Sequence, residues 1–194
     1  MKTPDKTELI ILSFKTAKEF EKWLAKNHHD SPGIWLKFFK KDSGEKTITH
    51  DEALDEALCY GWIDGQLNKH DDISWLHKFS PRGAKSIWSK RNTDHTERLI
   101  TLGKMKPSGL AEIEKAKADG RWAKAYDSPA EMKIPDDFMK ELSKNKKAKT
   151  FFESLNRANK YAIAWRLQTA KKPETREKRM TTILEMLAKG ERFH

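Results

Sequence analysis

The chain has 194 residues, of which 37% are hydrophobic and 35% are charged, and it contains seven Trp and nine Phe. This aromatic content is enough to build a core and excludes an intrinsically disordered chain, and no apolar run approaches the roughly 20 residues of a membrane span. The early apolar run is too short for a signal peptide and the single Cys can form no internal disulfide, so we expect a cytoplasmic protein.

The net charge of +10 lies entirely in the C-terminal half. Residues 1–97 hold 16 basic and 16 acidic residues, whereas residues 98–194 hold 23 basic and 13 acidic residues. The stretch 140–192 alone holds 15 basic residues and 6 acidic ones. A field of this sign attracts anionic partners such as nucleic acid, lipid headgroups or phosphorylated small molecules. The alternative is a solvated, lysine-rich surface that only aids solubility.

The first 80 residues show the signals of alternating strands and helices. Two capping boxes, Thr16–Glu19 and Thr49–Glu52, predict helix starts, and Gly61 is placed to end the second helix. The order β-α-β-α-β-β predicts an α+β lobe with a small mixed sheet and two helices. Apolar runs and period-two alternation predict the strands at residues 8–14, 34–39, 62–64 and 73–79.

Beyond residue 90 the strand signals stop and helix signals follow one another. Asp94 and Asn156 are suited to cap helices, and Pro107, Pro135 and Pro173 fit first-turn positions. The second half is therefore predicted to be all helical. We divide the chain into an α+β lobe, residues 1–92, and a basic helical lobe, residues 93–194. No linker rich in Gly, Ser or Pro separates them, so we expect the two lobes to pack together.

The segment Cys59–Gly65 lies where a helix passes into a strand, and its two glycines flank an aromatic residue and a carboxylate. One interpretation is a tight turn that presents Trp62 and Asp64 to a cleft. The other is structural: Gly61 adopts a left-handed helix end, Trp62 packs in the core and Asp64 caps backbone amides.

The segment 80–92 combines basic, hydroxyl and aromatic side chains just before a predicted helix. A helix N-terminus offers free amide donors and a positive dipole end, so such a loop can hold a phosphate or a carboxylate. No phosphate-loop or dinucleotide-binding pattern occurs in the sequence. The alternative is an exposed basic connector anchored by a buried Trp. The candidate anion-binding residues of this segment are Arg82, Lys85, Ser86, Trp88, Ser89 and Asn92.

The first turns of the last predicted helix, which Pro173 begins, are rich in cations. Cations at a helix N-terminus oppose the macrodipole, so this arrangement indicates an anionic partner. The alternative is a solvated helix end. The candidate basic surface consists of Lys171, Lys172, Arg176, Lys178 and Arg179.

Neither a metal site nor a catalytic site is predicted from residue spacing. The histidines show no H-x-x-x-H or H-E-x-x-H pattern, and the adjacent His28 and His29 point about 100° apart on a helix. Cys59 beside Leu58 and Tyr60 is typical of a small buried hydrophobic residue. We therefore expect no cofactor and no catalytic residues.

Four segments occur in order along nearly the whole chain: Glu52–Gly65, Phe79–Arg82 with Lys85–Asn92, Ala116–Trp122 and Ala170–Arg176. Together they closely resemble the YdeI/OmpD-associated family. The resemblance implies that the first lobe has the α+β fold of the YjbR/CyaY-like superfamily and that the helical segment is of the bacteriocin-protection type. It also implies protection against cationic antimicrobial peptides or bacteriocins, and it brings no catalytic residues.

Together these observations predict a cytoplasmic stress-resistance protein that binds a ligand without chemistry of its own. Its anion-accepting cleft is expected to involve the segment 80–92, with Trp62 and Asp64 beside it. The alternatives are non-specific nucleic-acid binding by the basic lobe, an enzyme acting on a small anionic substrate in the same cleft, and a structural or partner-binding module. Nucleic-acid binding predicts an affinity that falls steeply with salt. An enzyme predicts a deep pocket, and a partner-binding module predicts an exposed apolar patch.

Overall fold

The structure, a computed structural model, describes residues 9–128 and 131–194. Its packing divides the chain into two compact units. The first unit holds the residues up to Trp88 together with Asn92–Lys124, and the second holds Ser89–Arg91 together with Ala125–His194. The boundary predicted at residue 92 lies where the strand signals end. The two units are instead defined by packing. For this reason most of the first two helices after the sheet belong to the first unit.

A mixed four-stranded sheet forms the centre of the first unit. The strand order is β1-β2-β4-β3, with β1 parallel to β2 and the other neighbours antiparallel. The predicted α+β fold with a small mixed sheet is therefore confirmed. The strands are β1 (Ile11–Leu12), β2 (Ile34–Phe39), β3 (Trp62–Lys69) and β4 (Ser74–Pro81).

One face of the sheet is buried and carries alternate residues of β2. Ile34, Leu36 and Phe38 are all almost completely buried. Opposite Ile34 and Leu36, β4 places Phe79 and His77. Because directly opposite residues of an antiparallel pair share a face, His77 lies on the same side of the sheet as the apolar core.

Two helices, α1 (Ala17–Asn27) and α2 (His50–Cys59), contact each other in the first unit, and α1 packs its aromatic residues against the sheet. The Phe20 ring meets Phe79 edge-on at 5.9 Å, and Trp23 meets Trp62 edge-on at 5.7 Å. The capping box at Thr49 is present, and Gly61 has a φ of 76°, the left-handed conformation that the sequence predicts. A short 3₁₀ helix covers Lys41–Ser43.

The first and third strands differ in extent from the sequence prediction. β1 covers two residues instead of the predicted 8–14, whose first residue lies outside the described part of the chain, and Ile10 and Ile11 are about half exposed. The prediction of a buried strand there is wrong, because β1 is the edge strand and has a neighbour on one side only. β3 runs to Lys69 because it pairs along β4.

Two further helices follow the sheet, α3 (Lys90–Thr101) and α4 (Pro107–Ala118). α3 starts before the predicted cap at Asp94, whereas Pro107 occupies the first turn of α4 as expected. In α4, Gly109 lies against the backbone of the C-terminal turn of α2. The backbone N–H of Lys106 donates to the carbonyl oxygen of Cys59 at 3.1 Å, so the start of α4 satisfies a carbonyl at the end of α2.

The second unit is helical, and its helices surround an apolar core of their own. Asn156 caps α7 and Pro173 begins α8, as predicted. The helix α6 lies outside the predicted elements, because its three lysines obscure an apolar stripe that consists mainly of Ala148 and Phe152. The helices are α5 (Asp136–Leu142), α6 (Lys146–Ser154), α7 (Arg157–Gln168) and α8 (Pro173–Lys189). The core includes Phe138, Leu142, Phe152, Ile163, Leu167, Ile183 and Leu187.

Within residues 9–128 and 131–194, no helix combines the length and the apolar character that crossing a bilayer requires.

Candidate anion-binding site

The two residues predicted near the start of β3 have different surroundings. Trp62 is buried, and its indole Nε1 donates to the carbonyl oxygen of His28 at 3.1 Å. Its position is the core position that the structural interpretation expects. The Asp64 carboxylate instead faces two imidazoles, with its Oδ2 atom 3.2 Å from His50 Nε2 and 3.8 Å from His77 Nε2.

Arg82 and Trp88, predicted together from the segment 80–92, do meet in the structure. The Arg82 guanidinium lies 3.6 Å from the centroid of the Trp88 ring, and its Nη1 donates to the carbonyl oxygen of Ile87 at 3.1 Å. Both residues are buried, and Trp88 also packs on Trp122 at 4.8 Å. This contact is a desolvated cation–π pair that holds the segment against the first unit.

The other predicted residues of this segment spread over different environments. Lys85 is exposed, and the backbone carbonyl of Ser86 accepts from Arg121 at 2.9 Å. Ser89 belongs to the second unit, where it forms a parallel bridge with Tyr126. Asn92 is buried in the first turns of α3. The structure thus brings Arg82 and Trp88 together, whereas anion binding by the whole set stays a prediction.

Two members of the predicted basic surface on α8 hold the second unit together. Arg176 forms a bidentate pair with Asp137, with distances of 2.5 and 2.8 Å. Arg179 donates to the carbonyl oxygen of Arg166 at 2.7 Å, near the C-terminal end of α7. The remaining residues of the set, Lys171, Lys172 and Lys178, are exposed.

A cleft of about 420 Å³ lies between α7, α8 and the C-terminal segment of the second unit. This volume falls in the range of small-molecule sites. Three of the described lining residues are basic and none is acidic. The cleft is lined by Trp165, Arg166, Thr175, Lys178, Arg179, Thr182, Ile183 and Phe193.

Helix geometry explains why these side chains converge. Thr175, Lys178, Arg179 and Thr182 recur at spacings of three and four residues, so they share one face of α8. The buried Asn159 of α7 fixes the C-terminal segment. Its Oδ1 accepts from the backbone N–H groups of residues 193 and 194, both at 3.1 Å.

The electrostatics of this cleft favour an anion. The Arg166 guanidinium lies 3.8 Å from the centroid of the Phe193 ring and donates to the carbonyl oxygen of Ala162 at 3.0 Å. Burial, and to a smaller extent repulsion from Arg179, lower the pKa of Arg166. The charged form of its guanidinium is therefore less stable here than in water. A phosphate or carboxylate bound here would reduce the repulsion between the guanidiniums and would accept hydrogen bonds from them.

Several of these residues were not among the predicted site residues. Arg166 and Phe193 belong to no recognisable motif, and Trp165 is an apolar residue of α7 that the sequence does not single out as a site residue. The detectable signal is the basic, hydroxyl-rich face of α8, of which Lys178 and Arg179 are among the predicted residues. Its partners on α7 and in the C-terminal segment depend on how those parts pack.

The fold and the cleft define an α+β protein that carries a basic helical unit with an anion-compatible cleft. Residues 12–112, just over half of the chain, match the family described as "Domain of unknown function (DUF8412)". The chain belongs to this family. The expected grouping of the first lobe with the YjbR/CyaY-like superfamily is not confirmed by this match.

A second family match covers the helical unit. Residues 131–190 match the family "Bacteriocin-protection, YdeI or OmpD-Associated", which supports the resemblance seen in the sequence. No curated protein and no solved structure shows significant similarity to the chain. The matched segment includes Arg166, Lys178 and Arg179, the three basic residues of the cleft.

Proposed function

We propose that the protein works by binding a small phosphorylated or carboxylated ligand in the cleft between α7 and α8. The observation that carries this proposal is the convergence of Arg166, Lys178 and Arg179 on one cleft that has no acidic residue among its described lining residues. Trp165 and Phe193 add apolar walls, so the cleft combines charge recognition with a surface for an organic group.

Two of the three cations have structural contacts and one is available to a ligand. Arg166 and Arg179 each donate to a helix carbonyl, which fixes their guanidiniums in place. Lys178 is exposed at the edge of the cleft and can turn towards a ligand. Guanidiniums that are already oriented lose little freedom on binding, which favours affinity.

We place the bacteriocin-protection role of the matched family in this same cleft. A basic cleft repels a cationic peptide, so direct capture of such a peptide is unfavourable. The role would therefore act through an anionic ligand that the protein binds, without chemistry of its own.

The proposal is tested by titrating the full chain with inorganic phosphate and pyrophosphate at constant ionic strength, followed by thermal unfolding and calorimetry. A ligand that binds only the folded state stabilises it by about 2.7 kcal/mol at 100 times its Kd. We expect pyrophosphate to raise the melting temperature, with sodium chloride at the same ionic strength as the control. A melting temperature insensitive to both phosphates would contradict the proposal.

Two lysine variants separate the cleft from the general basic surface. Lys178→Glu changes a residue of the cleft, and Lys171→Glu makes the same charge change at an exposed position outside it. Loss of a charged contact costs about 1.5–3 kcal/mol, so Lys178→Glu should weaken pyrophosphate binding about tenfold or more. Lys171→Glu should leave it nearly unchanged.

Nucleic-acid binding is the second candidate, favoured by the excess of nine positive charges over residues 140–192. It predicts that both lysine variants weaken DNA and RNA binding equally and that affinity falls steeply with salt. Unchanged mobility of DNA and RNA in low-salt gel shifts would exclude it.

A further inference from the structure

Three potential metal ligands from separate elements meet on the buried face of the sheet. His50 is the first residue of α2, Asp64 lies on β3 and His77 lies on β4. Asp64 is paired with Phe79, two residues from His77, so the register places both side chains on the same face. The register of β3 shifts directly after Asp64, which marks an irregularity of the kind that re-aims side chains near functional sites.

The distances among the ligand atoms fit a single ion. Asp64 Oδ2 lies 3.2 Å from His50 Nε2 and 3.8 Å from His77 Nε2, and the three ligand atoms all lie within 4.8 Å of one another. With bonds of about 2.1 Å from metal to nitrogen or oxygen, two ligands of a tetrahedral ion lie about 3.4 Å apart. Small side-chain rotations therefore suffice to bring all three atoms onto one ion.

The unsatisfied state of His50 is an independent sign of a ligand. Its Nε2 atom is buried and has no well-formed hydrogen bond among the described residues, although Asp64 Oδ2 lies 3.2 Å away. A buried polar atom that is not fully satisfied destabilises the fold, and a metal ion would satisfy it. On the other side of the ring, the exposed Asp51 carboxylate lies 3.6 Å from Nδ1, beyond hydrogen-bond distance.

The second imidazole has a weak contact that a metal could replace. His77 Nε2 lies 3.2 Å from the carbonyl oxygen of Gly65. The ring centroids of His50 and His77 stack 4.7 Å apart. The ring centroids of Phe38 and Phe79 lie 5.6–6.5 Å from those of both imidazoles. Such an apolar wall on one side limits access of water and strengthens coordination.

Burial and mutual interactions shift the pKa values of Asp64 and His77. Burial opposes ionisation of Asp64, but its interactions with His50 and His77 outweigh this effect and lower its pKa, so it is a carboxylate. Burial, and then repulsion from His50, lower the pKa of His77, which favours the neutral imidazole.

We propose that His50, Asp64 and His77 form a binding site for a divalent first-row transition ion such as Zn²⁺. The ligand set of two imidazoles and one carboxylate suits this class of ion and disfavours Mg²⁺, which prefers oxygen. Three protein ligands leave one coordination position for water or a small anion. The site lies wholly in the first unit, so it is independent of the cleft in the second unit.

The test uses the full chain after removal of metal by a chelator, with Zn²⁺, Co²⁺ or Mg²⁺ added alone. We expect Zn²⁺ to bind with one-to-one stoichiometry and to raise the melting temperature. Co²⁺ should produce a visible absorption band, and Mg²⁺ should produce no effect. Absence of binding up to millimolar Zn²⁺ would overturn the proposal.

Matched variants assign the ligands. His50→Gln and Asp64→Asn keep the shapes of the side chains but weaken coordination, and His70→Gln removes an exposed imidazole elsewhere in the first unit. Loss of an outer partner alone costs about 10–100-fold in metal affinity, so each ligand variant should lose at least 100-fold while His70→Gln loses none. Circular dichroism without metal verifies that each variant is folded. Wild-type Zn²⁺ affinity in folded Asp64→Asn would overturn the assignment.

Discussion

The close approach of α4 to α2 makes Gly109→Ala a test of the packing between these two helices. A Cβ atom built on Gly109 would lie 2.3 Å from the carbonyl oxygen of Cys59 and 2.8 Å from that of Leu58. Both are backbone atoms at the end of α2, so neither can rotate away. The two helices would have to separate, and the hydrogen bond from Lys106 to the Cys59 carbonyl would lengthen.

The expected magnitude is a balance of two effects. In an exposed helix, replacing Gly with Ala stabilises by about 1 kcal/mol, because Ala has the higher helix propensity. Forcing an extra carbon into a packed interface costs about 1–3 kcal/mol, and a contact with rigid backbone belongs at or above the upper end. We expect a net loss of about 2 kcal/mol, which lowers the melting temperature by about 4–8 °C for a chain of this size.

Urea unfolding followed by tryptophan fluorescence measures this loss, because six of the seven Trp lie in the first unit. Ser108→Ala is the matched control on the same helix. The Ser108 hydroxyl is buried without a hydrogen-bond partner among the described residues, so its removal should be neutral or stabilising. If Gly109→Ala proved as stable as the wild type or more so, the close packing of α2 and α4 would be refuted.

Two further predictions concern ionisable groups. Burial raises the pKa of the Cys59 thiol to about 12, so a thiol reagent at neutral pH should label it only after unfolding, and rapid labelling of the native chain would contradict its burial. The hydrogen bond from Lys90 lowers the pKa of Asp127 in the second unit. The pair therefore stabilises the folded state fully above the pKa of an unfolded aspartate, about 3.9. This stabilisation is lost as the pH falls through the lower pKa of Asp127 in the folded state. Because Lys90 is about half exposed, we expect the wild type to be more stable than Asp127→Asn by about 1 kcal/mol or less at pH 7. This difference should shrink at pH 2, as measured by urea unfolding followed by circular dichroism, and an equal difference at both pH values would contradict the prediction.

The local features of the fold could be predicted because their causes lie within a few residues. The capping box at Thr49, the cap at Asn156 and the first-turn Pro173 each begin a helix where expected. Strand β2 matches its predicted bounds, and its alternate burial follows from period two. Each signal is a hydrogen bond or a periodicity between near neighbours, which the sequence displays directly.

Two features of the elements that the sequence does not show have tertiary causes. The apolar run around Ile11 indicates a buried strand, yet its position at the edge of the sheet leaves it half exposed. The second half is predicted to be helical, but the apolar stripe of α6 is short, and only packing shows that Phe152 lies in the core of the second unit. Position within the sheet and packing between helices are not properties of a local window.

The α+β class, most helix starts and the location of the positive charge can be predicted from the sequence. Which side chains meet depends on the tertiary structure. Strand register and the start of α2 bring together His50, Asp64 and His77, which no metal-ligand spacing indicates. Packing of α7, α8 and the C-terminal segment likewise joins Arg166 to Lys178. The physical reason is that a site needs convergence of side chains distant in sequence, and convergence depends on register and packing.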